Sequence, residues 1–188
     1  MSAERVHELL ERLGNLLRSE QRRLGATLGL QPVQFQALVY LAQCNRYSDS
    51  PRAVAEYLGL TKGTVSQTLA VLQERGLVLA ADDADDGRRV HLRLSAKGRR
   101  AAAQMPPAVL ARALATLGDA DALAARLERL LVDLQRDRDG RTFGVCRTCR
   151  HFRGPVAAAR CGLTGEPLPV EQTTKLCREH APPVAADD

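Results

Sequence analysis

The apolar positions change period several times along the chain, and each change marks an element. From Ala3 to Leu24, the residues Val6, Leu9, Leu10, Leu13, Leu16, Leu17 and Leu24 recur at helical spacing among Glu and Arg. That is the pattern of an amphipathic helix, which Gly25 and Gly29 are expected to close. Pro32 opens a second helix running to about Asn45, with Phe35, Leu38, Val39, Leu41 and Ala42 on its buried face. Cys44 falls beside that stripe and reads as a small buried hydrophobe. Ser50-Pro51 supplies an N-cap and a first-turn proline for a short helix over 52–58, ended by Gly59. Thr61 caps the next helix, over 62–75, ended by Gly76. Two short helices joined tightly through Gly59 and Leu60 make a helix-turn-helix.

The period then falls to two. Leu77–Ala81 reads as a strand, Asp82–Gly87 as a turn, and Val90, Leu92 and Leu94 alternate with Arg89, His91 and Arg93. A hairpin directly after the helix-turn-helix predicts a wing. Ser95 caps a further helix that Pro106-Pro107 must kink or restart. Asp119 caps the last helix, with Leu123, Leu127, Leu130, Leu131 and Leu134 along one face. The expected fold class is mainly α with a small β-hairpin wing (α+β).

Composition narrows the partner. Apolar residues make up 45% of the 188 but aromatics only 3%, so the core must be built from Leu, Val and Ala. A net charge of +5 points to a polyanion, either nucleic acid or an anionic membrane surface. No stretch approaches the roughly 20 apolar residues of a membrane span, and the N-terminus lacks a signal-peptide core. A cytoplasmic location is therefore expected, with no membrane partner. Thiols stay reduced there, and clustered cysteines suggest metal.

The second helix of the pair carries the polar chemistry. A helix entering a major groove needs short polar side chains near its N-terminus. Thr61, Lys62, Thr64, Ser66, Gln67 and Thr68 are such residues, with Val65, Leu69 and Leu72 on the core side. Gln67 suits a bidentate pair with adenine, Thr64 a thymine methyl, and Thr61 and Ser66 phosphates. Arg88 and Arg89, at the hairpin tip, suit a narrow A·T minor groove, and Asp86 can brace Arg88.

These segments resemble the MarR family of bacterial regulators. The likeness runs through Leu30-Gln31-Pro32-Val33-Gln34-Phe35, Val54-Ala55-Glu56-Tyr57-Leu58, Thr64-Val65-Ser66-Gln67, Leu77-Val78, and Asp86-x-Arg88 followed by Leu92-x-Leu94-Ser95-x-x-Gly98. It covers roughly residues 3 to 137. The resemblance implies a homodimer joined by its first and last helices, and double-stranded DNA with a palindromic operator as partner. Two departures stand out: Gln67 occupies a position where many relatives carry Arg, and few aromatics are present to line a ligand pocket.

Beyond residue 140 the chain changes character. Cys146-x-x-Cys149, Cys161 and Cys177 lie in a stretch rich in Gly, Pro and Arg with no helical period. About forty residues with so few large hydrophobes need a staple, and metal ligation supplies one. The cofactor reading is an iron-sulfur cluster, of the 4Fe-4S type, with Zn2+ as the alternative. The pattern also looks like the small cluster-binding subunits of some glycyl-radical enzymes. Arg147, Arg150, Arg153, Arg160, Lys175 and Arg178 are expected to lower the thiol pKa values. His151 and His180 are expected to lie outside the ligand set.

The expected units are a dimerisation helix over 1–30, a winged helix-turn-helix DNA-binding domain over 31–95, and C-terminal dimerisation helices over 96–138. A four-cysteine metal-binding module over 141–180 and a disordered tail over 181–188 follow. The expected function is a MarR-like regulator, acting as a repressor, whose cluster senses redox state, oxygen, nitric oxide or iron and acts by shifting the dimerisation helices. The alternative is a structural zinc site with a small-molecule signal. With no Gly-rich phosphate loop, nucleophile elbow or paired carboxylates, an enzyme is not expected.

Overall fold

The computed structural model describes residues 2–83, 89–105, 108–136 and 141–183. Helix α1 (Ala3–Thr27) leads to α2 (Pro32–Gln43), α3 (Pro51–Leu58) and α4 (Lys62–Glu74). Strands β1 (Val78–Asp82) and β2 (Val90–Leu94) pair antiparallel, from Val78 opposite Leu94 to Asp82 opposite Val90. Then come α5 (Ala96–Ala102), α6 (Ala108–Thr116) and α7 (Ala120–Arg136). The fold is mainly helical with one β-hairpin wing.

Local chemistry sets these boundaries. The Ser50 side chain accepts the Ala53 N–H, Thr61 accepts that of Thr64, and Ser95 accepts that of Gly98, each a side-chain cap on an otherwise orphan donor. Gly59 ends α3 in the left-handed region at φ 65°, which costs a residue without Cβ nothing. Gly25 does not close α1 as expected. It lies buried within the helix where α1 crosses α2, and a Cβ there would stand 3.2 Å from the Leu30 carbonyl oxygen. The helix after Ser95 stops at Ala102 and a new one begins at Ala108; Pro106 and Pro107, expected to cause the break, lie outside the described residues.

The core forms around α2. Phe35, Ala37, Leu38 and Tyr40 are fully buried, packed by Ala53 and Val54 of α3, Val65 and Leu72 of α4, Val78 of β1 and Leu92 of β2. Cys44 is buried at its edge. The outer helices differ. Helix α6 buries nothing, and α1 buries only Gly25. Leu16 is 66% exposed, Leu131 52% and Leu134 54%. No described helix is long and apolar enough to cross a membrane.

The C-terminal segment folds into short ladders. Strand β3 (Gly144–Val145) pairs antiparallel with β6 (Leu176–Cys177), and β4 (Phe152–Arg153) with β5 (Arg160–Cys161), with one helical turn, α8 (Val170–Thr173), between β5 and β6. Its own buried cluster is small: Cys146, Ala159 and Leu168. Phe143 takes a positive φ of 45° and enters the main core, with its ring 6.0 Å from Tyr40 and 5.2 Å from Tyr57. The segment expected to stand apart is thus seated on the helix-turn-helix. Cys44 bridges Leu176, and the Asn45 N–H donates to the Leu176 carbonyl at 2.8 Å.

Candidate nucleic-acid interface and cysteine cluster

Helix α4 is held from both ends. At its N-terminus the Thr61 hydroxyl accepts the Thr64 N–H at 3.2 Å and lies 3.0 Å from the Thr64 hydroxyl. At its C-terminus Arg75 donates to the carbonyls of Gly29 at 2.5 Å and Leu28 at 2.9 Å. Those oxygens cap the negative end of α1, so a cation there is favoured. The end of the first helix is thereby tied to the exposed one. Thr61, Lys62, Thr64, Ser66 and Gln67 are all exposed, while Val65, Leu69 and Leu72 are buried. Thr68 is a correction. It is 5% exposed, and its hydroxyl donates to the Thr64 carbonyl at 2.8 Å, so it cannot be offered to a base. Its place three residues after Val65 and four before Leu72 puts it on the core face.

The wing is anchored near its turn end. His91 lies between two carboxylates, with Nδ1 2.7 Å from Asp49 and Nε2 2.8 Å from Asp83. Asp83 and then Asp49 raise the His91 pKa, while burial pushes the Asp49 carboxyl up. Arg89 is exposed at the end of the described wing. Arg88 and its brace Asp86 lie outside the described residues. At the wing's far end, α5 begins so close to β1 that a Cβ on Gly98 would lie 2.1 Å from the Leu77 carbonyl oxygen.

The exposed row on α4, the short α3 across it and the hairpin beside it make a surface built for a groove. The MarR family model matches residues 28–89, about a third of the chain. The fold is the MarR winged helix. The transcriptional regulator PA3341 is similar at 27% identity, over 70% of this chain and 98% of that one, with a TM-score of 0.58. MepR of S. aureus, in a structure with DNA, shares the fold at 20% identity over 68% and 96%, TM-score 0.52. CouR from Rhodococcus jostii RHA1, solved bound to p-coumaroyl-CoA, shares it at 22% over 69% and 90%, TM-score 0.54. No curated protein matches the chain. MarR proteins are transcription regulators rather than enzymes.

The cysteines follow from the ladders. Pairing of β3 with β6 sets Cys177 opposite Gly144, beside Cys146, and pairing of β4 with β5 sets Cys161 opposite Phe152, after Cys149. The Cys149 N–H donates to the Cys146 carbonyl at 3.1 Å. Burial first, and then Cys177, Cys161 and Cys149, push the Cys146 thiol up to about 11. Among the described residues, however, no three His, Cys, Asp or Glu side chains close to the spacing that holds a single metal ion. The expected four-cysteine metal site is thus not displayed among the described residues.

The surrounding cations do not act as the sequence suggests. Lys175 donates to the Ala42 carbonyl, Arg160 to that of Gly165, and Arg153 to those of Arg150 and Phe152. They stitch the backbone, and the Cys146 thiol is raised rather than lowered. His180 is buried between the Thr142 hydroxyl at 2.8 Å and the Thr148 hydroxyl at 3.1 Å, with its ring against Gly144. Both ring nitrogens are thus occupied. His151 Nε2 lies 3.4 Å from Arg150 Nε.

Several residues that matter here leave no mark in the sequence pattern. Asn45 is 1% exposed, and its Oδ1 accepts from the Tyr47 N–H and the Ser48 hydroxyl. Its Nδ2 is buried without a hydrogen-bond partner among the described residues. Glu56 of α3 takes Arg178 through both carboxylate oxygens, at 2.5 and 2.8 Å. Arg46 and Tyr47 both reach Glu166, at 2.6 and 2.8 Å.

Proposed function

We propose that the protein is a homodimeric, sequence-specific DNA-binding transcription regulator, a repressor, whose tail cysteines hold a metal centre that adjusts DNA affinity. The observation that carries the DNA half is the exposed row Thr61, Lys62, Thr64, Ser66 and Gln67 on α4, beside an anchored wing. Base edges in the major groove are read by such side chains, and Lys62 and Arg89 add phosphate attraction. The same fold holds DNA in MepR. Homodimerisation is supported by the leucine faces of α1 and α7, which this chain leaves uncovered. Fluorescence anisotropy against duplexes selected from a random pool tests this half. Equal affinity for selected and scrambled duplexes contradicts it.

The metal half rests on the donor set. Metal ligation takes cysteines as thiolates, and four thiolates together are favourable only when a cation offsets their charge. The Asn45 amide and the Ala181 N–H, 3.4 Å from the Cys149 sulfur, are donors suited to metal-bound thiolates. A single zinc ion needs its sulfurs about 2.3 Å from one centre. Structural zinc sites often pair two Cys-x-x-Cys knuckles, and this segment has one, so the scattered spacing favours an iron-sulfur cluster of the 4Fe-4S type. When bound, that group supplies a charge and redox state that oxygen, nitric oxide or iron supply can change. Purification without air, followed by visible absorption and metal analysis, decides. A colourless protein with one zinc per chain contradicts the cluster.

One observation favours a second input. A cleft of about 660 Å³ lies between α2, β2 and α5, lined by Val39, Ala42, Leu94 and Met105 with Arg93 and Arg99 at its polar side. A small anionic ligand there, with structural zinc in the tail, is the alternative. CouR was solved with an acyl-CoA bound. Calorimetry with aromatic carboxylates separates the two.

A further inference from the structure

The hydrogen bonds that seat the cysteine module run to one stretch of the helix-turn-helix, residues 42–56. Three of the contacts centre on Cys177 and Arg178. The Asn45 N–H donates to the carbonyl of Leu176, the residue before Cys177, at 2.8 Å. The Arg178 N–H donates to the Ser48 hydroxyl at 2.7 Å. The Arg178 side chain, only 11% exposed, grips Glu56 of α3 through Nε at 2.5 Å and Nη2 at 2.8 Å. A bidentate guanidinium–carboxylate pair fixes orientation as well as distance. Ser48 and Asn45 also bond to each other at 2.8 Å, so loop and strut form one polar network.

Helix α3 is the element this network can move. It has eight residues and packs on both α2 and α4. A short helix has little stability of its own, and its position depends on what holds it. The sequence places the module after the dimerisation helices, which suggested control through them. The contacts instead lead from a cysteine to the first helix of the reading head.

Resting on the metal reading above, we propose that Cys177–Arg178 is a coupling strut: occupancy of the cysteine centre fixes the Cys177 turn, and Arg178 with Glu56 passes that constraint directly to α3. With the centre empty, nothing ties Cys177 to the other three cysteines, so the turn loosens and α3 loses its outer support. Glu56 and Arg178 are positioning residues. They act on DNA through α3 and α4.

The test uses the full chain as wild type, Glu56→Gln and Arg178→Ala. Each is prepared loaded, by iron and sulfide reconstitution without air or by zinc, and stripped with a chelator. Metal content is measured first, then affinity for a duplex selected by the wild type, then amide exchange across 51–58. Loaded and stripped wild type should differ about tenfold in affinity, with α3 exchanging faster when stripped. Both variants should keep the wild-type metal content while that difference shrinks to within about twofold. A variant that keeps both its metal and the full difference overturns the strut, as does a wild type whose affinity ignores loading. Loss of metal in Glu56→Gln overturns it too, because the contact then builds the centre rather than reading it. A wild type that takes up neither metal fails the underlying reading, and the metal analysis alone shows that before DNA is added.

Discussion

Single side chains separate the base-reading face from the core. Gln67 stands exposed one position before Thr68, which is buried against Val65 and Leu72. Gln67→Ala should cost about 1–3 kcal/mol of discrimination at one base pair and leave binding to other positions alone. Thr68→Val should leave the selected sequence unchanged and move stability by about 1 kcal/mol. Binding to a panel of single-base variants checks both. Gly98 is stricter. A methyl group there meets the Leu77 carbonyl at 2.1 Å, so Gly98→Ala must push β1 and α5 apart. It should destabilise the fold by at least about 1–3 kcal/mol, read as a fall in Tm. The caps at Ser50, Thr61 and Ser95 were legible because each partner lies three residues away. Thr68 is polar by residue type, and only its helical spacing between Val65 and Leu72 places it on the core face.

The elements show where local pattern stops informing. Both strands of the wing, α2, α3 and α4 lie within one or two residues of their sequence-based bounds, since period and turn residues are local signals. The seat of the cysteine module was not legible. Its central pair, Glu56 and Arg178, is separated by 122 positions, and each reads alone as an ordinary surface charge. Two pH dependences follow. The His91 pKa is raised, by Asp83 first and Asp49 second, with Arg93 also acting on Asp49. A raised histidine stabilises fully below its ordinary value of 6.5, and that contribution is lost as pH rises through the higher folded value. The wild type should therefore lose Tm relative to His91→Asn as pH rises above 6.5, and the variant's profile should be flatter. Glu56 behaves oppositely. Arg178 and then Arg52 hold its carboxyl down to about 2, so the module's docking is intact above 4.5 and weakens as pH falls toward 2. Amide exchange over 170–180 at acid pH should rise in the wild type, and at neutral pH in Glu56→Gln.

At the scale of the whole molecule, α1 and α7 carry apolar faces that one chain does not cover. Leu13 is 51% exposed and Leu16 66%. Burying a leucine is worth about 1.5–3 kcal/mol, which is about tenfold or more in a dimer constant. Leu13→Asp with Leu16→Asp should thus give a monomer by sedimentation, with the winged helix still folded, because α1 buries only Gly25 within its own chain. The mainly helical fold with its β-hairpin wing was legible in the apolar pattern. The state of the cysteines was not, because spacing tells which residues can meet but not what they hold. The most direct test of the central claim is sequence selection by the intact dimer from a random pool of DNA duplexes. The expected result is one enriched palindrome with half-sites centred about one helical turn, roughly 10 base pairs, apart, lost when Gln67 and Thr64 are replaced by Ala. A pool that emerges unenriched, or a motif unchanged in that variant, would contradict the assignment of α4 as the element that reads DNA.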